Sequence, residues 1–148
     1  MRKEEIRLKS NYNIEHSSGG IVYTTLAGET YWLFLCEKGK LVIPKGHIEH
    51  NENSIDAATR EIKEETGIKI PVDHLRFIID CTHTFTNQKG VEIVKQVDFH
   101  LFQVKESEQL PEINKKSCWV KSCDELIFKY SNHQQIYKTA SSEINNGS

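Results

Sequence analysis

Three glutamates, Glu61, Glu64 and Glu65, are spaced so that a helix brings them onto one face. At ~100° per residue, Glu64 falls near −60° and Glu65 near +40° from Glu61. Ala58, Ile62 and Ile55 gather near roughly +60° to +120°, an apolar stripe for a core. Asp56, Thr59 and Lys63 take the far side, towards solvent. Carboxylates at i,i+3 and i,i+4 repel by a few tenths of a kcal/mol per pair in water, and by more where the dielectric falls. A divalent cation removes that cost. Oxygen-only ligands suit Mg2+ or Mn2+, which keep waters and bind substrate phosphates. Taken alone, the three glutamates also fit a solvated Glu/Lys face, the commoner use of such a pattern.

The elements that would carry this patch follow from period and punctuation. Ser54 to Thr66 has a helical pattern and stops at Gly67, a residue suited to the left-handed backbone after a helix. Before it, Ser17–Gly20 reads as a flexible lead-in, followed by strands at 21–25, 31–36 and 41–43, the last stopped by Pro44. Tyr31 to Cys36 is apolar on both faces, which predicts a strand covered from both sides. Gly46 to Asn53 reads as a polar loop. After the helix, strands are expected at 74–84, 91–104 and 117–120, then two short helices from about Asp124 and about Asn132. In the second of these strands Val97, Phe99 and Leu101 alternate with Asp98 and His100. The mixture predicts an α+β protein, a sheet with helices on both faces.

The chain has 148 residues, enough for one domain over 1–148, with about 1–9 and 141–148 expected to be loose. With 19 Lys+Arg against 21 Asp+Glu, the net charge of −2 argues against a non-specific nucleic-acid binder. No apolar run is long enough to cross a bilayer, and the first residues lack the apolar stretch of a signal peptide. Cys36, Cys81, Cys118 and Cys123 include no Cys-x-x-Cys pair, which predicts a reduced, cytoplasmic protein without disulfides. Residues 46–68 hold six acids and two bases, a net of −4, which leaves +2 for the remaining chain. An acidic centre in a mildly basic body suits cations and a polyphosphate.

From Gly46 the chain reads Gly46-His47-Ile48-Glu49-His50-Asn51-Glu52, then seven residues, then Arg60-Glu61-Ile62-Lys63-Glu64-Glu65-Thr66-Gly67-Ile68. This resembles the signature box of the Nudix hydrolase family at every specified position: Gly46, Glu52, Arg60, Glu61, Ile62, Glu64, Glu65, Gly67 and Ile68. The resemblance implies an α/β/α sandwich with a mixed sheet between helices. It implies hydrolysis of a nucleoside diphosphate linked to another group, with Mg2+ or Mn2+ held by Glu61, Glu64, Glu65 and the backbone carbonyl of Lys45. Arg60 would orient Glu61, and Glu52 would brace the loop against the helix. The family's proton acceptor is a box glutamate or one on a later loop, for which Glu112 is the candidate and Glu92 a weaker one.

Pro44-Lys45-Gly46-His47-Ile48-Glu49 is similar to the approach to the box in the diadenosine tetraphosphate hydrolases of that family, as are Gly19-Gly20-Ile21-Val22-Tyr23 and Trp119-Val120. Two departures stand out: Leu41 where related chains often carry Trp, and Phe85 where many place a Tyr to stack on adenine. Phe85 keeps a stacking face, and it reads equally as a core residue. Lys45 could contact a phosphate. His83 and Lys89 read first as surface residues that could also meet phosphates. The implied reaction is asymmetric cleavage of a dinucleoside polyphosphate, releasing AMP and ATP from diadenosine tetraphosphate. The alternatives are a pyrophosphatase acting on nucleoside triphosphates or RNA 5′ ends, and a nucleotide-binding sensor without turnover. The expected partner is a small nucleotide polyphosphate, with no membrane and no nucleic acid beyond an RNA 5′ end.

Overall fold

The sheet is built on β1 (Tyr12–Leu26), which pairs with three other strands. The computed structural model describes residues 12–70 and 73–146. Six further strands follow: β2 (Glu29–Glu37), β3 (Lys40–Val42), β4 (Lys45–His47), β5 (Asp73–Thr86), β6 (Glu92–Gln103) and β7 (Ser117–Lys121). The helices are α1 (Ser54–Thr66) and α2 (Ser131–Asn146). The strand order is β3-β2-β1-β6-β5, with β4 on β1 and β7 on β2. β1 and β6 run parallel and the other pairs antiparallel, so the sheet is mixed.

Both faces are apolar because the central strands alternate two sets of buried residues. Val22, Leu33 and Phe102 meet Ala58, Ile62 and Ile68 on the α1 side. Ile21, Tyr23, Trp32, Phe34, Phe99 and Leu101 meet Ile136 and Ala140 of α2 on the other. This is the expected α+β arrangement, a mixed sheet between helices.

Several local expectations are corrected. Ser17–Gly20 is strand, inside β1, and each of the four residues is buried. The two glycines mark close packing rather than flexibility: a Cβ on Gly20 would lie 2.6 Å from both Ile62 Cδ1 and Phe102 Cε2. The Gly46–Asn53 loop starts inside β4. No helix starts at Asp124; instead Leu41 N–H donates to the Ile127 carbonyl and Lys129 N–H to the Leu41 carbonyl, so this segment runs beside β3. α2 continues to Asn146, so Ser141–Asn146 is helix rather than loose tail. The loose start expected at 1–9 lies outside the described residues, as do Gly147 and Ser148.

Cys36 and Cys118 form a disulfide, against the expectation of none. Phe34 pairs with Cys118 across β2 and β7, so Cys36 is the diagonal neighbour on the same face, with its Cα 6.4 Å from that of Cys118. Cys81 and Cys123 are free thiols. Among the described residues no helix is long and apolar enough to cross a membrane.

Candidate active site

α1 is capped at both ends. The Asn53 side chain accepts from Asp56 N–H at 2.8 Å, and Gly67, at φ 87°, donates its N–H to the Lys63 carbonyl at 2.9 Å. Ala57, Ala58, Ile62 and Thr66 bury one face. Ile55, expected in that stripe, is 39% exposed. It sits in the first turn of the helix. A polar network fixes this turn instead: Ser54 Oγ lies 2.8 Å from both Asp98 Oδ2 and His100 Nε2, and Ser18 Oγ donates to the Ser54 carbonyl at 2.6 Å.

Arg60 organises the acidic face. Its Nε donates to Glu52 Oε2 at 2.7 Å and its Nη2 to Glu52 Oε1 at 3.0 Å. Nη2 also reaches the His47 carbonyl at 2.9 Å. Nη1 donates to Glu61 Oε1 at 2.8 Å and Glu64 Oε2 at 3.3 Å. One guanidinium thus joins the loop after β4 to two of the three glutamates. Its bond to Glu52, before all else, raises the Arg60 pKa and holds the Glu52 carboxyl below its ordinary range. Glu52 Oε1 also accepts from Glu49 N–H at 2.9 Å, which braces the loop as the resemblance implied.

Gly46 leaves room for Glu61. A Cβ there would overlap the Glu61 carboxylate, so any side chain would displace the glutamate or the strand. Gly20 N–H donates to the Pro44 carbonyl and Ile48 N–H to the His16 carbonyl. By the alternation of a strand, the Lys45 N–H and C=O turn away from β1, and the Lys45 backbone acts to lower the Glu65 pKa.

Glu65 is the unbalanced member of the set. Burial first, and then the Glu61 charge, push its carboxyl up to about 7. Its Oε2 is buried without a hydrogen-bond partner among the described residues. An orphaned buried carboxylate oxygen beside two more carboxylates fits a divalent cation. The three glutamates are not drawn together as a finished ligand set, because Arg60 occupies Glu61 and Glu64; among the described residues no His, Cys, Asp and Glu group is already arranged for a metal.

Lys45, Lys95 and His83 line an open cavity of about 510 Å3 on the α2 side, together with Tyr130, Ser131 and Asn132. Burial first, and then the Lys95 charge, lower the Lys45 pKa. Phe85 stacks on His83 with ring centroids 6.2 Å apart and is 42% exposed, so it is not core. The structure therefore brings Lys45, His83 and Phe85 to one region. Lys89 stays in the β5–β6 turn, where its N–H donates to Asn87 Oδ1, and it does not line the cavity. Glu112 is exposed before β7, and no bond joins it to the helix glutamates among the described residues. Glu92 is exposed at the start of β6.

Sequence reasoning missed Lys95 and Asn114. Lys95 had a signal: counting back from Val97 and Phe99 by twos puts a lysine at a core-facing position. Asn114 had none. Its Nδ2 donates to the Glu65 carbonyl at 2.7 Å and its N–H to the Thr66 carbonyl at 2.9 Å, so it covers carbonyls at the end of α1. With Lys115, Lys116, Glu64 and Glu65 it lines a second cavity of about 500 Å3.

The family model described as NUDIX domain matches residues 20–139. Among solved structures, the chain is similar to the Ap4A hydrolase of C. elegans, with 25% identity, TM-score 0.63, and coverage of 88% of this chain and 98% of that one. It shares its fold with the NUDIX domain of Shewanella oneidensis NrtR complexed with ADP ribose, at 14% identity, TM-score 0.65, and coverage of 97% and 99%. The fold also recurs in a bifunctional NMN adenylyltransferase/ADP ribose pyrophosphatase from Francisella tularensis, complexed with AMP and a Mn ion. There the identity is 20% and the TM-score 0.56, and the match covers 95% of this chain and 45% of that one.

Proposed function

We propose a substrate for this chain, which belongs to the Nudix family and is a Nudix hydrolase acting on pyrophosphate bonds: a dinucleoside polyphosphate, first of all diadenosine tetraphosphate, split by water into AMP and ATP. The observation that carries the reading is the position of Lys45. Its backbone lies by Glu65 on the acidic helix and lowers the Glu65 pKa against the effect of burial, and its side chain lines the basic cavity that His83 also faces. A polyphosphate chain can run from the carboxylates past Lys45, with a base stacking near Phe85. The likeness to the C. elegans Ap4A hydrolase supports the same substrate class.

Glu61, Glu64, Glu65 and the Lys45 carbonyl would hold Mg2+ or Mn2+; the orphaned Glu65 oxygen and the space that Gly46 leaves beside Glu61 fit that role. Bound there, the metal would screen phosphate charge and lower the pKa of a water. Arg60 keeps Glu61 and Glu64 aimed while Glu52 anchors it. For the proton acceptor we assign Glu112, two residues before the Asn114 that touches the end of α1. Lys45, His83 and Phe85 would bind substrate; Lys89, away from the cavity, would act only on a ligand reaching the β5–β6 turn.

The test is a panel with Mg2+: diadenosine tetraphosphate, nucleoside triphosphates, ADP-ribose, RNA bearing a 5′-triphosphate and diphosphoinositol phosphates. Preference for the first, with AMP and ATP as products, is expected. Preference for a triphosphate or an RNA end overturns the substrate, and no turnover on any member replaces hydrolysis with nucleotide sensing.

A further inference from the structure

We infer that Asn114 is a positioning residue: from the loop before β7 it holds the last turn of α1 by its carbonyls and so sets Glu65 for the metal. The inference rests on the reading of Glu65 as a metal ligand and deepens it.

The last turn is the weakest part of α1. A helix end leaves carbonyls without intrahelical partners, and it carries partial negative charge that acidic side chains oppose. Glu64 and Glu65 both stand in that turn, with Lys63 as its base. Gly67 N–H takes the Lys63 carbonyl at 2.9 Å. The carbonyls of Glu65 and Thr66 both go to one residue of another element. Asn114 Nδ2 donates to the first at 2.7 Å, and Asn114 N–H to the second at 2.9 Å.

The three glutamates are braced in different ways. Arg60 bonds Glu61 and Glu64 through their side chains. Glu65 Oε2 is buried without a hydrogen-bond partner among the described residues. The set of the Glu65 side chain therefore depends on where its backbone stands, and Asn114 holds that backbone.

Such a clamp works only from a stiff seat. Trp119 Nε1 donates to the Pro111 carbonyl at 2.9 Å, and Ile113 packs against the core on the α1 side. Asn114 Oδ1 accepts from Lys116 N–H at 3.1 Å and lies 3.0 Å from Ser117 Oγ. Lys116 N–H can only donate and the Glu65 carbonyl can only accept, so the two ends of the amide are assigned by their partners. Cys36 N–H in turn holds the Lys116 carbonyl at 2.8 Å, and the Cys36–Cys118 bond ties β7 to β2. The amide thus relays the position of the sheet to the end of the acidic helix. Loss of an outer partner of this kind costs roughly ten- to a hundredfold in metal affinity.

The test reads Mn2+ affinity of the full chain by electron paramagnetic resonance. Asn114 is exposed, so Asn114→Ala leaves the core untouched; it should bind Mn2+ roughly tenfold more weakly, with native circular dichroism. The control is Asn87→Ala, an amide whose Oδ1 accepts from Lys89 and Val91 N–H in the β5–β6 turn. It should stay within about threefold of the parent. A double-mutant cycle then identifies the glutamate that Asn114 serves. Added to Glu65→Gln, Asn114→Ala should cost less than about threefold; added to Glu61→Gln, it should keep its full effect. In EDTA, with no metal present, hydrogen exchange at the Gly67 amide should quicken about threefold or more in Asn114→Ala and not in Asn87→Ala. Parental Mn2+ affinity in Asn114→Ala, unchanged Gly67 exchange, or a loss that persists in full beside Glu65→Gln overturns the positioning role and leaves Glu65 as a ligand. Parental Mn2+ affinity in Glu65→Gln instead removes Glu65 from the ligand set, and the inference falls with it.

Discussion

Arg60 grips Glu52 with two parallel bonds, Nε to Oε2 at 2.7 Å and Nη2 to Oε1 at 3.0 Å, and turns its remaining nitrogen to Glu61 and Glu64. The pair fixes where the acidic face stands relative to β4, because Nη2 also holds the His47 carbonyl. A lysine keeps the charge but cannot satisfy four partners in one plane.

Arg60→Lys should therefore lower kcat by roughly ten- to a hundredfold and cost about 1–3 kcal/mol of stability, the range for losing charge-assisted bonds at a half-buried site. Glu52→Gln should cost stability with a smaller rate effect, since Glu52 reaches the glutamates only through Arg60. Melting curves with steady-state rates check both. An Arg60→Lys enzyme with parental rate and melting point would show that the fork is ornamental.

Gly46→Ala tests the approach of β4 to α1. The added methyl overlaps the Glu61 carboxylate, so Mn2+ affinity should fall by about tenfold or more, in line with a displaced ligand, while circular dichroism stays native. Gly28→Ala is the control: its neighbourhood is open, and any loss there reflects only its φ of 81°. Parental Mn2+ binding by Gly46→Ala would remove Glu61 from the ligand set.

What could be read from the chain divides by range. The box was legible because Arg60, Glu61, Glu64 and Glu65 sit within two turns of one helix, where spacing alone sets direction. The two-faced sheet was legible in Trp32-Leu33-Phe34, all buried. Features that need a partner strand were not. The β2–β7 register makes Cys36 and Cys118 neighbours across 82 residues of sequence, and no local spacing encodes it. Gly19-Gly20 reads as part of a flexible lead-in because Pro44, Ile62 and Phe102, which crowd it, are remote in the chain. The lysine cavity is likewise assembled by β4, β5, β6 and α2 together.

The disulfide predicts a response to reductant. It closes a span of 82 residues, and constraining the unfolded chain in this way is worth roughly 2–4 kcal/mol. Dithiothreitol should lower the melting temperature, and Cys36→Ser should reproduce the drop and abolish any further effect of reductant. Cys123→Ser should do neither, since Cys123 is a free thiol. Identical melting with and without reductant would mean that the bond contributes nothing.

His133 sets a lower pH limit. It is 1% exposed, its Nδ1 accepts from Ile43 N–H at 3.1 Å, and burial pushes its pKa down from 6.5 to about 4. The unfolded chain takes up the proton at the higher pH, so this contribution is complete above about 6.5 and is lost as the pH falls towards 4. The loss amounts to roughly 3 kcal/mol at most. His133→Asn should flatten the stability profile in that window while costing stability at pH 7; an unchanged acid limb would remove His133 as its source.

Glu65 runs the opposite way, and this links the acid–base behaviour of the chain to the cation. Its carboxyl is pushed from 4.5 up to about 7, first by burial. A raised folded pKa means that the protonated form is the one the fold favours. Its contribution is therefore present below about 4.5 and is lost as the pH climbs through about 7. The loss is roughly 3 kcal/mol at most, and solvent screening of the exposed part of the carboxyl reduces it. In EDTA the parent chain should thus lose stability between these values, and Glu65→Gln, which keeps the shape without the charge, should resist that loss and melt higher at pH 8. A divalent cation should reverse the order: Mg2+ or Mn2+ at pH 8 stabilises the parent, whose buried oxygen gains a partner, and leaves Glu65→Gln little changed. Melting temperatures at pH 4, 6 and 8, with EDTA or with Mn2+, decide it. A Glu65→Gln chain stabilised by Mn2+ as much as the parent would break the link between the orphaned oxygen and the metal.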